Sequence, residues 1–469
     1  MIACAAVRSI AADPWGVAAE PERVDQGGMM LFSDYLAAEW RPALGCTEPA
    51  AIAYAAACAS ALASGTIEAV RITCDSRMYK NCYAVGLPNS GGRVGIRWAA
   101  ALGVMAALPE ERLEVFRHVN PGIVVAAEAL LNAGAVTVKV DRARDDLYAE
   151  AVVHRSNGRG RAILERNHTR ITFLERDGQP CLVPSRHETA ESTSVRHDVA
   201  ALGLDALLEL ARSISTADRA ELRRGVAANL AIAEHGLQAL PPSFVASTAD
   251  DERTRIAALV AGGVLARMSG EDMVVMTLAG SGNKGITCSL PIALWGAGHG
   301  SPRERIDEAL ALGCLLTSAT THRLGPLSAM CGGANAAGIG AAGGLVYLGG
   351  GNSAEVSLAI NTMVGNLAGM ICDGAKIGCA MKTMTAADAA FRAATLALAG
   401  VGIPVTDGIV GASGLLSLDN LGQVAAVGMA GVDAEVLRIM CAKQGDAWPR
   451  ENRRARVRRA ERRSPVDPS

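Results

Sequence analysis

The chain has few aromatic residues: only 3% of its 469 residues are Phe, Trp or Tyr. With half the residues hydrophobic, the core must be built from Ala, Leu, Val, Ile and Met. The chain also lacks an excess of either charge. Its 45 basic and 47 acidic residues leave a formal net charge of −2, which gives no overall attraction to nucleic acid or acidic membranes. It has no C-x-x-C pair, which argues against a zinc ribbon, and the usual ferredoxin cysteine spacings are absent too. The N-terminus, "MIACAAVRSIAADPWG", lacks a basic start followed by a long apolar stretch, so no signal peptide is expected.

The longest charge-free run is Leu324–Ala354, 31 residues, long enough to span a bilayer. Ten of the 31 are Gly, and Ser, Asn and Pro interrupt the rest, so a tightly packed buried core is the expected reading. The chain has twelve cysteines. Without a signal peptide they point to free thiols in a reducing, cytoplasmic setting.

Four stretches follow from composition. Residues 1–28 read as a poorly ordered extension. Residues 29–190 read as an α+β unit. Helical sequence fills 33–64, 95–107 and 121–133, "IEAVRITCDS" (67–76) is a strand, and strand-like segments at 135–143, 146–155, 159–167 and 169–178 form an antiparallel meander. A polar linker, "PSRHETAESTSVRHD" (184–198), follows. Residues 199–445 are rich in Ala, Gly and Leu and read as almost wholly helical. Residues 446–469 form a basic tail with eight Arg, read as solvated and disordered, with RNA binding as the rival reading. The predicted fold class is α+β: N-terminal helices with an antiparallel sheet, then a largely all-α catalytic region.

Chemistry-bearing residues cluster in six places. In "MICDGAKIGCAMK" (370–382), Cys372 and Cys379 flank Gly374 and Gly378. On one straight helix, seven residues rise about 10.5 Å, too far for two thiolates to grip one small cluster. Glycine breaks allow the chain to turn back, so that Cys372 ends one helix and Cys379 begins the next. Together with Cys331 in "LSAMCGGANAAGIGAAGG", these thiols suggest an iron–sulfur site, with plain buried core thiols as the alternative. In "PALGCTEPAAIAYAAA", Cys46 precedes a helix start, where the dipole should favour thiolate. "LAGSGNKGITCSLP" (278–291) offers Ser281, Asn283 and Lys284 on a glycine-rich turn suited to a carboxylate or phosphate. It fits neither the Walker spacing nor a dinucleotide fingerprint. "DSRMYKN" (75–81) places Lys80 and Asn81 after a strand. His322, nine residues before Cys331, is an acid/base candidate whose alternative is an ordinary core or surface histidine.

Taken together, "RPALGCTEPAAIAYAAA", "RMYKNCYAVGLP", "GSGNKGITCSLPI", "LSAMCGGANAAGIGAAGGLVYLGGG" and "AGMICDGAKIGCAMK" resemble the L-cysteine desulfidase family. This is the UPF0597 group, related to the α chain of iron–sulfur L-serine dehydratases. The resemblance runs from about residue 33 to 433. It implies a [4Fe-4S] cluster held by Cys331, Cys372 and Cys379 with one iron left open. It also implies that L-cysteine is split to pyruvate, ammonia and sulfide. Cys46 matches a fourth family cysteine and is the first candidate base; His322 is the second. Ser281, Asn283 and Lys284 would hold the substrate's carboxylate or amino group, assisted by Lys80 and Asn81. Two positions depart from the family's pattern. Gly333 stands where relatives often carry a second cysteine, and Arg77 replaces a small polar residue.

The expected partner is a small amino acid, with neither nucleic acid nor membrane, and the reading leaves room for a homo-oligomer. Rival readings are an L-serine dehydratase on the same scaffold, a pyridoxal phosphate β-eliminase using Lys284 or Lys376, and a non-enzymatic membrane or scaffold protein.

Overall fold

The structure is a computed structural model that describes residues 30–144, 146–182, 195–248, 250–325 and 328–443. The expected extension (1–28), the basic tail (446–469) and the linker up to residue 194 lie outside the described residues. Residues 195–198 open a helix rather than continue a linker.

The N-terminal part runs α1 (Phe32–Glu39), β1 (Trp40–Leu44), α2 (Thr47–Ala61), β2 (Ser64–Asp75), α3 (Ser76–Cys82), α4 (Ile96–Ala106) and α5 (Pro121–Asn132). Strands β3 (Val136–Asp141), β4 (Tyr148–Glu165), β5 (Ile171–Arg176) and β6 (Gln179–Leu182) follow. Next come α6 (Val195–Ala201), α7 (Leu204–Arg212), α8 (Thr216–Leu237), α9 (Pro242–Ser247), α10 (Glu252–Ser269) and β7 (Val274–Leu278). The chain closes with α11 (Gly282–Gly298), α12 (Arg303–Leu324), α13 (Gly332–Leu348), α14 (Ser353–Leu367), α15 (Cys379–Leu398), α16 (Gly414–Gln423) and α17 (Val432–Lys443). The architecture is α+β, as the composition predicts.

The sheet differs in detail from a meander. Its order is β3-β2-β4-β5-β6, and β2 pairs with β3 in parallel, from Val70↔Val136 to Asp75↔Asp141. A parallel pair needs a crossover, and α3, α4 and α5 supply it. The "SNG" at 156–158, expected as a turn, lies inside the 18-residue β4. The first half of that strand pairs with β2 and the second with β5.

Helix α2 lies under this sheet, with 14 of its 15 residues buried. Its alanines allow this, because a helix that is small and apolar all round is buried all round. Backbones meet on both sides of it. A Cβ at Gly103 of α4 would stand 2.3 Å from the Ala53 carbonyl oxygen, and one at Gly160 of β4 would stand 1.9 Å from that of Ala59.

The charge-free run expected as core is helix α13 and its flanks, with 15 of the helix's 17 residues buried. It packs on α11, α12, α14 and α15. Its glycines set the spacing: a Cβ at Gly340 would lie 2.4 Å from the Gly313 carbonyl oxygen of α12. Among the described residues, no helix is long and apolar enough to cross a membrane.

Strand β7 interrupts the region expected to be wholly helical. It pairs antiparallel with β1, Trp40↔Leu278 through Leu44↔Val274, so a segment from near the start of the chain is stitched into the helical part.

Candidate active site

Four helix N-termini meet at one place. Cys46 is the N-cap of α2 and Cys331 the N-cap of α13. Ser281 is the N-cap of α11, and Cys379 is the first residue of α15. The contacts between them are direct. The Thr47 hydroxyl donates to the Gly280 carbonyl at 3.3 Å. A Cβ at Gly332 would fall 2.8 Å from Cε of Lys284, and one at Gly333 would fall 3.2 Å from Thr383 and 3.6 Å from Asn283. Each N-terminus carries partial positive charge and unpaired N–H groups, so their convergence favours anions.

The cysteine loop is built as a bend, though not as the sequence suggests. Helix α14 stops at Leu367, so Cys372 does not end a helix; it lies in a non-helical segment. That segment pairs with the strand-like lead into α13: the Cys331 N–H donates to the Met370 carbonyl at 2.9 Å, and the Cys372 N–H to the Ala329 carbonyl at 2.7 Å. Gly374 makes the turn, with φ +96°, and a Cβ there would lie 2.4 Å from the Lys80 carbonyl oxygen. Gly378 is an ordinary right-handed N-cap with φ −60°. Only one of the two glycines is therefore needed for its conformation. Cys379 does begin a helix, as expected.

The three thiols face a shared space. Burial pushes Cys331 up to about 12, and the neighbouring Cys372 and Cys379 thiols add to the shift. Burial also raises Cys379. Among the described residues, no three His, Cys, Asp or Glu side chains close around a single metal ion. A multi-iron cluster is wider and takes each thiolate on a different iron. Cys331, Cys372 and Cys379 lie close enough to influence one another's titration, and thiols are the donors such a cluster takes.

Cys46 is not a resting thiolate. Burial, then the Glu48 carboxylate, push its thiol well above the ordinary value, and the helix N-terminus does not offset them. Its S–H donates to Glu48 Oε2 at 2.9 Å. Thr47 donates to the same oxygen at 3.0 Å, and the Asn81 amide to Oε1 at 3.0 Å. Burial raises Glu48, but His168, the Cys46 S–H and Arg267 outweigh it, so the carboxyl sits below its usual range. Asn81 also accepts from the Cys372 thiol at 3.9 Å, so it bridges Glu48 and the cysteine loop.

The remaining sequence candidates divide. Lys284 is buried, donates to the Ala279 carbonyl at 3.1 Å, and is lowered to about 7 by burial and then by Arg196. Asn283 accepts from Arg267 Nη1 at 2.8 Å. Ser281 makes no side-chain cap to its helix. Lys80 is fully buried, donates to the Cys372 carbonyl at 2.8 Å, and forms an ion pair with Asp433 of α17. It ties the cysteine loop to α17. Arg77, the family departure, reaches the same Asp433 at 3.1 Å. Lys376 is taken up by Asp373. His322 packs edge-on against His197, with centroids 5.4 Å apart, and its described contacts do not run to Cys46 or the three thiols. Three neighbours carry no motif signal in the sequence: Glu48 as more than a first-turn acid, His168 in the β4–β5 turn, and the buried Arg267 at the end of α10.

The chain matches the serine dehydratase alpha chain family over residues 180–438. It is 37% identical over 429 residues to a UPF0597 protein of Desulfatibacillum aliphaticivorans, covering 88% of this chain and 98% of that protein. It is 36% identical over 425 residues to one from Geobacter sulfurreducens, covering 89% and 99%. A third, from Caldanaerobacter subterraneus, is 33% identical over 420 residues, covering 89% and 99%. The chain belongs to the UPF0597 family, which is related to the serine dehydratase alpha chain and is therefore lyase-type in kind.

Proposed function

We propose that the protein is a [4Fe-4S]-dependent lyase that converts L-cysteine and water to pyruvate, ammonia and sulfide. The observation that carries this reading is that Cys46, Cys331 and Cys379 stand at helix N-termini that meet at one place, with Cys372 in the adjoining loop and Asn81 bridging Glu48 to it. The serine dehydratase relationship favours L-serine as a second substrate, with water as the leaving group.

Cys331, Cys372 and Cys379 would hold the cluster. When bound, it supplies a Lewis acid for the leaving sulfur or oxygen, an effect worth several kcal/mol in such sites. The chain's own residues handle the proton and the orientation. The Cys46 proton is shared with Glu48 Oε2. Once that proton has left to solvent, the Cys46 thiolate is able to accept the Cα proton of the substrate. As the Cα–H bond breaks, its electrons form the Cα–Cβ double bond and the β-substituent departs. The resulting enamine hydrolyses to pyruvate and ammonia. Lys284, able to exchange a proton near neutral pH, and Asn283 would face the substrate's polar groups, while Asn81 keeps Glu48 and the cysteine loop in register.

The test is anaerobic reconstitution with iron and sulfide, followed by sulfide release from L-cysteine and pyruvate release from L-serine. The same preparation should turn brown and release sulfide. A Cys372→Ala variant that kept both cluster and activity would remove the ligand assignment. Borohydride trapping of a Lys284 adduct would support the pyridoxal phosphate reading instead.

A further inference from the structure

Arg267 is 1% exposed, yet two of its donors, Nε and Nη2, have no hydrogen-bond partner. A buried guanidinium with unused donors is costly unless an anion meets them. Its hydrogen bond from Nη1 to Asn283 Oδ1 does not neutralise its charge. The side chain lies against the first turn of α11: a Cβ at Gly282 would fall 2.4 Å from Nε and 2.9 Å from Cζ. A cation has thus been placed on the positive end of a helix, which only an anion between them makes favourable.

A second side chain points the same way. Nε2 of His168 is buried and also unpartnered, while its Nδ1 comes within 4.0 Å of where a Cβ of Gly280 would be. Arg267 and His168 come from different elements and flank the same Gly280–Asn283 turn. The local charges leave room for one more anion. Glu39 is paired with Arg196. The two oxygens of Glu48 are taken by Cys46, Thr47 and Asn81. Lys284 interacts with Arg196, Glu39, Glu48, Cys331 and His168, and the titratable neighbours of Arg267 include Cys46, Glu48 and His168.

We infer that Arg267 and His168, with the α11 N-terminus, form the receptor for the substrate's α-carboxylate, Arg267 giving two charge-assisted hydrogen bonds and His168 a third. The inference rests on the amino-acid reading of the site. It assigns the carboxylate to Arg267 and leaves Lys284 and Asn283 for the rest of the substrate. With the carboxylate fixed there, the Cα–H bond is presented on the side of the Cys46–Glu48 pair.

The test uses L-alanine, which has both charged groups and no leaving group, and L-alaninamide, which lacks the carboxylate. Calorimetric titration of the full chain should show L-alanine bound about 100-fold more tightly than the amide. Arg267→Met should abolish that preference, and Arg267→Lys and His168→Asn should each reduce it about tenfold. Equal binding of the two compounds to the wild-type chain, absence of L-alanine binding, or an unchanged preference in Arg267→Met would each overturn the inference. Should Arg267→Met fail to fold, unchanged preference in both Arg267→Lys and His168→Asn would overturn it. Carboxylate binding through Arg267 in a chain that releases no sulfide or pyruvate would retain the receptor and reject the lyase reading.

Discussion

At the scale of residues, the site is defined by groups held out of their ordinary protonation behaviour. His168 is an example: burial lowers its pKa. The unfolded chain therefore takes up a proton below about pH 6.5 that the folded chain resists, and stability falls as pH drops through that range. His168→Asn should flatten this slope. Its stability relative to wild type should rise as pH falls from 7 to 5, measured by urea denaturation, with no such trend above pH 7. Little of this was legible beforehand. The thiols announced themselves because cysteine beside glycine is unusual. Arg267 and His168 sit in ordinary-looking stretches, and only the fold shows that their donors are buried and unused. The thiolate expected at Cys46 failed for a related reason: a helix N-terminus is worth at most about 2 kcal/mol, and full burial beside a carboxylate outweighs it.

At the scale of elements, the cysteine loop depends on one glycine. Gly374→Ala forces a side chain into a left-handed conformation against the Lys80 carbonyl. It should cost about 2–4 kcal/mol and lower the iron retained after reconstitution. Gly378→Ala should change stability by no more than about 1 kcal/mol, since its φ is −60° and its would-be Cβ meets only the Lys376 side chain at 3.4 Å. Both are read out by urea denaturation and iron content. The sequence called for a bend between the two cysteines if both thiols serve one centre. It could not show where, because the bend uses a paired strand-like segment that begins before Cys372. The long buried helices α2 and α13 were legible from their small residues. The parallel β2–β3 pair was not, since its register is set by a crossover of three helices.

At the scale of the molecule, the last described helix closes on the site. Asp433 of α17 holds Lys80, and Lys80 holds the Cys372 carbonyl. Asp433→Asn leaves a buried ammonium without its counter-ion and should cost about 3–5 kcal/mol. Adding Lys80→Met should recover part of that loss in a double-mutant cycle. No recovery would show that the pair does not act as a unit. The β1–β7 ladder has a further consequence, in the order of synthesis. Trp40 leaves the ribosome long before Leu278, its partner in the ladder. At about 5–20 residues per second, the edge of β1 waits roughly 10–50 s for β7 to emerge. During that interval Cys46 is attached to a strand with no mate, so the nascent chain is exposed to wrong pairing just before the first residue of α2.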